Sequence, residues 1–303
     1  MLVTDGLDEP GLALLREATQ VFESSTLEAL AESDALIVRG RTKVTSAVIE
    51  AAGPRLKVVG RAGVGVDNID LESARARGIT VVNSPEAATV AVAELTLGLM
   101  LALARQIPTA DAGLRRAEWR KAELHGSELS GKTLGIIGVG RIGAVVASRA
   151  AAFGMRVLGH DPLLSDAELQ RRGTEPLSFD ALLGKSDYVC LHLPLTDETR
   201  GLIGRETLQR FKPGARLISA ARGGIVDEAA VLEALEAGQL AGVALDVYAE
   251  EPPGALPLRR HPNVVLTPHI GAQTQEAQSK AALDIAGEVL AALRGEPLRW
   301  RVA

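Results

Sequence analysis

Lys132-Thr133-Leu134-Gly135-Ile136-Ile137-Gly138-Val139-Gly140-Arg141-Ile142-Gly143 is the stretch whose reading decides the fold. Leu134 to Ile137 are almost all apolar, as a central parallel strand buried on both faces requires. The alanine-rich residues Ala144 to Ala152 read as a helix, with Gly154 as its C-terminal cap. Between strand and helix lies G-x-G-x-x-G on Gly138, Gly140 and Gly143. A second apolar strand, Arg156 to Gly159, runs out at Asp161, eighteen positions after Gly143.

Each part of this unit suits a dinucleotide. Gly138 permits the tight turn, Gly140 lets backbone approach a pyrophosphate, and Gly143 lets helix and strand pack closely. The helix N-terminus offers free N–H groups and a positive dipole end. A carboxylate at the end of the second strand accepts hydrogen bonds from the adenosine ribose and repels a 2′-phosphate, so Asp161 favours NAD over NADP. Glycine-rich turns recur by chance, and an ordinary βαβ turn is the alternative. The agreement of strand, helix and spaced Asp is what favours dinucleotide binding.

The chain has 303 residues, room for about two domains. Its net charge of −5 gives no support to a nucleic-acid or anionic-membrane partner. One cysteine, Cys190, excludes internal disulfides and Cys-based metal sites, and none of another kind is apparent. Cys190 lies in the apolar run Tyr188 to Leu193 and reads as a small buried hydrophobe. The most apolar segment, Leu95 to Ala104, is too short for a bilayer, and Met1 to Asp5 carries no basic leader. A cytoplasmic protein is expected.

Outward from the glycine loop, both sides alternate strand and helix. Apolar runs at Leu2-Val3, Leu36 to Val38, Leu56 to Val59 and Ile79 to Val82 are separated by helical stretches at 11–19, 26–31, 46–52 and 71–76, which predicts a small parallel sheet. Thr89 to Ile107 reads as one long buried helix, ended or kinked by Pro108, and 110–118 as a second. Residues 131 to about 270 carry six apolar runs with helices between them. The expected fold is therefore α/β: a doubly wound, Rossmann-type parallel sheet beside a smaller flavodoxin-like α/β domain. The expected boundaries are residues 1–85 with 274–303 for the smaller, substrate-binding domain and 86–273 for the dinucleotide-binding domain. A final amphipathic helix at 273–293 returns the chain to the first domain.

In such sheets ligands gather at the C-terminal ends of strands, which here carry Gly138, Asp161, His192, Arg222-Gly223-Gly224, Asp246 and His269. Hydride chemistry at a nicotinamide needs a proton donor and acceptor near the substrate oxygen, and histidine serves both directions at neutral pH. Of the five histidines, His269 stands after Pro268 where a ligand between the two domains is expected to meet it. His160 points to the adenosine side, and Leu193-Pro194 to a wall of the cofactor site. Arg222, between a strand and a Gly-Gly turn, can hold a carboxylate in bidentate fashion. A glutamate from Glu250-Glu251 can orient the His269 ring. In the first half, Gly60-Arg61-Ala62-Gly63-Val64-Gly65 lacks the last glycine of a dinucleotide loop and suits a small anion; a tight turn with a solvated arginine is the alternative.

At these residues the chain resembles the D-2-hydroxyacid dehydrogenase family. The resemblance rests on Gly138 to Gly143, Ala221-Arg222-Gly223-Gly224, Asp246-Val247-Tyr248 through Glu251-Pro252, and Pro268-His269-Ile270-Gly271, four motifs in order across essentially the whole chain. It implies an NAD-dependent enzyme acting on a small anionic 2-hydroxy or 2-oxo acid. His269 would be the acid/base, Glu251 rather than Glu250 its partner, and Arg222 the ligand of the substrate carboxylate. Arg141 and Ile142 would offer pyrophosphate amides, and Asp246 would lie near the nicotinamide carboxamide. Pro194, Ala220 and Gly271 are placed along the cofactor, and Arg39, Arg61 and Gly63 on the substrate's anionic groups. With Arg41 and Lys43 the first domain has cations enough for a phosphorylated acid; an unphosphorylated acid is the alternative within the family, and an NAD-sensing binding protein outside enzymology. Glu86-Ala87-Ala88 and Gly40 depart from the family's usual residues near the substrate. The resemblance also implies a homodimer, with pairing into tetramers left open, through an arm around Pro108 to Lys121 that includes Trp119. The chain ends at Ala303, so inhibition through an ACT-type regulatory domain is not expected.

Overall fold

The computed structural model describes residues 1–303. It separates into two compact units, Met1–Thr89 with Ala272–Ala303, and Val90–Gly271.

The first unit opens with β1 (Leu2–Val3), α1 (Glu9–Ala18), β2 (Phe22–Glu23), β3 (Ala35–Val38), α2 (Ser46–Ala51), β4 (Val58–Arg61), α3 (Leu71–Ala76) and β5 (Thr80–Asn83). All five strands are parallel, in the order β2-β1-β3-β4-β5. This is the flavodoxin-like order. The strand cores are apolar because helices cover both faces, and Leu36, Ile37, Val38, Val59 and Val81 are fully buried. Two expectations fail here. Residues 26–31 form no α-helix, only a 3₁₀ turn at Leu30–Glu32. The strand β2 had no apolar run to announce it, since both its residues are exposed at the sheet edge.

The second unit begins with α4 (Thr89–Arg105) and α5 (Ile107–Arg115). The single long helix expected to reach Ile107 is thus two helices, bent by 66° at Gln106, which sits at φ 52°. Pro108 does not end the first helix. It occupies the first turn of the second, where its missing N–H costs nothing. The helix expected at 110–118 accordingly starts three residues earlier and stops at Arg115. No single helix is long and apolar enough to cross a membrane.

There follow β6 (Thr133–Ile137), α6 (Arg141–Ala152), β7 (Arg156–His160), α7 (Asp166–Arg171), β8 (Glu175–Pro176), α8 (Phe179–Lys185), β9 (Tyr188–Leu191), α9 (Arg205–Leu208), β10 (Ala215–Ser219), α10 (Glu228–Glu236), β11 (Leu240–Leu245) and β12 (Val264–Leu266). The seven strands are parallel, in the order β12-β11-β10-β9-β6-β7-β8. The direction of winding reverses at β6, with β9 on one side and β7 on the other, which is the doubly wound arrangement. The seventh strand, β8, escapes the hydropathy pattern. It pairs through two residues only, and a proline is tolerated at a sheet edge. Cys190 is fully buried in β9, where desolvation pushes its thiol pKa up.

The chain returns to the first unit through α11 (Gln275–Arg294), whose Ile285 and Val289 pack under β4. Beyond it Arg301 bridges Val82 in antiparallel fashion, covering part of the edge strand β5. The buried carboxylate of Glu288 accepts the N–H groups of Arg299 and Trp300 (3.1 Å each), which fixes this tail to the helix.

Candidate active site

The sheet order explains which distant residues meet. Strands β10, β11 and β12 are neighbours, so the segments leaving their C-terminal ends converge: Ala220 to Gly224, Asp246 to Glu251, and Thr267 to Gly271. Nδ1 of His269 lies 2.6 Å from Oε2 of Glu251. With Nδ1–H donated to that carboxylate, Nε2 is left as the ring's acceptor. The other oxygen of Glu251 accepts the N–H of Tyr248 at 3.1 Å, so the carboxylate is itself held. Both side chains stay accessible, 47% and 36% exposed, as groups that must meet a ligand have to be. Glu250 is exposed and plays no part in the pair.

His269 adopts φ 53°, a left-handed conformation that costs a non-glycine residue free energy and persists only where neighbours impose it. The neighbours are visible. Asp246 is 1% exposed. Its Oδ1 accepts the Thr267 hydroxyl (2.6 Å) and the Ile270 N–H (2.8 Å), and its Oδ2 accepts the Gly271 N–H (2.8 Å). The Tyr248 hydroxyl donates to the carbonyl of Thr267 at 2.8 Å. Burial, with the charges of Asp246, Glu228 and Glu251 beside it, pushes the Tyr248 phenol up to about 12, so it remains a donor. The resemblance implies that Asp246 lies near the nicotinamide carboxamide; in the structure its carboxylate holds the turn that carries His269. Thr267 is not singled out by the sequence, and Tyr248 only as part of a motif with no role of its own, because nothing local marks a residue whose partner follows the neighbouring strand.

Arg222 is half-buried after β10, with Nη1 2.7 Å from the carbonyl of Ala221. The adjoining Gly223 admits no side chain, since a Cβ there would lie 1.6 Å from the carbonyl oxygen of Tyr248. That close approach locks the arginine segment to the loop that bears Glu251.

The dinucleotide elements lie on β6 and β7 of the same sheet. Gly138 has φ 89°, and a Cβ on it would strike the carbonyl of His192. A Cβ on Gly143 would lie 2.3 Å from the carbonyl of Gly138, so α6 can start this close to the loop only with glycine there. A Cβ on Gly140 would meet nothing within 4 Å, which leaves open space before the first-turn amides of α6 around Arg141 and Ile142. This cradle fits a diphosphate. Asp161 is not wholly directed outward: Oδ2 accepts the N–H of Val139 and Oδ1 that of Leu163, each at 3.0 Å. Its carboxylate thus also fixes the glycine loop, while its remaining lone pairs can serve ribose hydroxyls. Arg172, unmarked in the sequence, donates to the carbonyl of Val139 at 2.6 Å and holds the next peptide group of the loop. Pro194 lies in a turn closed by the Thr199 hydroxyl, which donates to its carbonyl at 2.7 Å.

In the first unit, Val38 pairs with Arg61 across β3 and β4, so Arg61 ends β4 one position short of Arg39, the residue that follows β3. In the loop after β4 two amides are already engaged. Ala62 and Gly63 donate their N–H groups to Val38 and Arg61 carbonyls, and Gly60 is packed against Val289 and Ile285. The contribution of Gly63 is space: the guanidinium of Arg61 lies where its Cβ would be.

A doubly wound sheet with a glycine cradle at its switch point and a His–Glu pair on a strained turn defines a dinucleotide-dependent oxidoreductase domain. Residues 97–271 match the family described as D-isomer specific 2-hydroxyacid dehydrogenase, NAD binding domain. The chain belongs to that family, and its second unit is the NAD-binding domain. It is 48% identical over 303 residues to the D-3-phosphoglycerate dehydrogenase of Methanocaldococcus jannaschii, covering 98% of this chain and 58% of the relative. The chain therefore spans little more than half the length of such relatives. Among solved structures it is similar to the TT0316 protein of Thermus thermophilus, with TM-score 0.90, 39% identity and coverage of 100% and 99%. It is also similar to a D-lactate dehydrogenase from Aquifex aeolicus complexed with NAD and lactic acid, with TM-score 0.87, 30% identity and coverage of 97% and 96%.

Proposed function

We propose that the chain carries out the reversible NAD-dependent oxidation of 3-phospho-D-glycerate to 3-phosphohydroxypyruvate, the entry step of phosphorylated serine synthesis. The observation that carries the reaction class is the 2.6 Å His269–Glu251 pair on the family's NAD-binding domain. The choice of acid follows the near-half identity to D-3-phosphoglycerate dehydrogenases along the chain, together with the arginines at the first unit's sheet edge.

Gly138, Gly140, Gly143, Arg141 and Ile142 would hold the NAD diphosphate and Asp161 its ribose, with Pro194, Ala220 and Gly271 along the remainder and Asp246 acting there through the Ile270 and Gly271 amides that it holds. When bound, NAD supplies a hydride acceptor, or as NADH a donor, at substrate C2. Arg222 holds the substrate carboxylate and fixes the C2 oxygen. Nε2 of His269 takes the C2 hydroxyl proton during oxidation and returns it during reduction. Glu251 keeps the ring in the tautomer that can do so and offsets the imidazolium charge that forms. The second anionic group of the substrate is assigned to Arg39 and Arg61.

The test is NADH consumption with 3-phosphohydroxypyruvate beside hydroxypyruvate and glyoxylate. A clear kcat/KM preference for the phosphorylated acid is the expected result; preference for either unphosphorylated acid overturns the substrate while leaving the reaction class. We further propose a homodimer formed through residues 107–121, a segment in which Ile107, Leu114 and Trp119 stay 52%, 62% and 81% exposed. Light scattering on Trp119→Glu is expected to show a shift towards monomer, and an unchanged mass would remove this arm from the interface. A cytoplasmic setting accords with this metabolic role.

A further inference from the structure

The loop Arg39–Thr42 is held from both sides by two residues outside the reaction chemistry. Asp5 follows β1 and Asn68 follows β4, the two strands that flank β3 in the sheet. Oδ2 of Asp5 accepts the backbone N–H groups of Arg39 (3.0 Å), Arg41 (3.1 Å) and Thr42 (2.9 Å). Its Oδ1 accepts the Thr42 hydroxyl at 2.8 Å. Asn68 completes the pattern from the opposite side, its Nδ2 donating to the carbonyls of Arg39 (3.1 Å) and Thr42 (2.7 Å). One side chain takes the loop's donors and the other its acceptors.

Two features mark this as more than a turn. Asp5 sits at φ 64°, a strained position for a residue with a side chain, and that side chain is only 7% exposed. Burial alone raises a carboxyl pKa; the Thr42 and Arg39 hydrogen bonds outweigh it here and hold Asp5 below its ordinary value. A concave run of N–H groups at a strand's C-terminal edge is itself an anion site. Asp5 fills it from within. Three of the loop's four amides are thereby withdrawn from a substrate anion, and recognition there falls chiefly to the guanidinium groups.

We infer that Asp5 and Asn68 form a clamp that positions Arg39 and sets the preference for a substrate with a second anionic group. They are positioning residues, since neither is placed on the substrate. The inference rests on the substrate reading above and adds the device that enforces it. Releasing the clamp frees the loop, so the backbone that carries Arg39 loses its fixed position while His269, Glu251 and Arg222 keep theirs.

The test measures KM and kcat for 3-phosphohydroxypyruvate and for hydroxypyruvate in wild type, Asp5→Asn and Asn68→Ala. Asp5→Asn keeps an acceptor and tolerates the left-handed backbone, and Asn68→Ala probes the other side should the first variant misfold. The expected result is a KM for the phosphorylated acid raised about tenfold in each folded variant, the worth of one charge-assisted contact. The hydroxypyruvate KM and both kcat values should stay within about twofold, a split that general loosening of the fold does not produce. Equal rises for both acids, or an intact preference, overturn the clamp. A wild-type enzyme without the preference overturns the substrate reading, and the clamp with it.

Discussion

His192 joins electrostatics to stability. Both ring nitrogens are buried without a hydrogen-bond partner in the protein, and desolvation pushes the ring's pKa down to about 4. The folded state therefore binds its proton more weakly than the unfolded chain does. The stabilisation from keeping this ring neutral is complete above about pH 6.5 and is lost as the pH falls towards 4, on the order of 3 kcal/mol in all. Acid denaturation of His192→Leu should lose this part of the slope, and an unchanged acid limb would show that the ring titrates normally. Glu251 is assigned to chemistry rather than stability. Glu251→Gln keeps a hydrogen bond to His269 without the charge, and kcat should fall about a hundredfold with thermal stability little altered. A fall below threefold would leave Glu251 with no electrostatic role.

At the scale of elements, the tail after α11 rests on one buried carboxylate. Glu288→Ala leaves the part-buried amides of Arg299 and Trp300 without their acceptor, and should cost about 1–3 kcal/mol in urea unfolding. A loss below about 0.5 kcal/mol would mean that the tail is held by its bridge to β5 alone. The elements also show what can be read in advance. Buried strands such as β6 and β9 declare themselves because both faces need apolar residues. The two short edge strands β2 and β8 do not, since an edge needs little burial and even accepts Pro176. Gln106 breaks the α4–α5 run with no glycine or preceding proline to announce it. The glycine cradle was legible because its constraints are local to a dozen residues. The supports of His269 from Asp246, Thr267 and Tyr248, and the Asp5–Asn68 clamp, join residues brought together only by strand order. Hydrogen bonds of that kind leave no periodic trace in the chain.

Across the whole molecule, two parallel sheets with different strand orders each place their candidate functional side chains at the C-terminal ends of strands. The chemistry is assigned to the sheet with its switch point at β6, and substrate selection to the sheet wound about β1 and β3. One assignment supports the rest of the account: that His269 moves the proton while the glycine cradle of another part of the sheet holds the dinucleotide. These are separable properties of one domain. The most direct measurement is turnover and NADH affinity of His269→Ala, side by side with wild type. The account predicts kcat lower by about 10²–10⁴-fold, the range of a lost acid/base, with NADH affinity within about twofold. Turnover within tenfold of wild type, or loss of NADH binding in step with turnover, would contradict it.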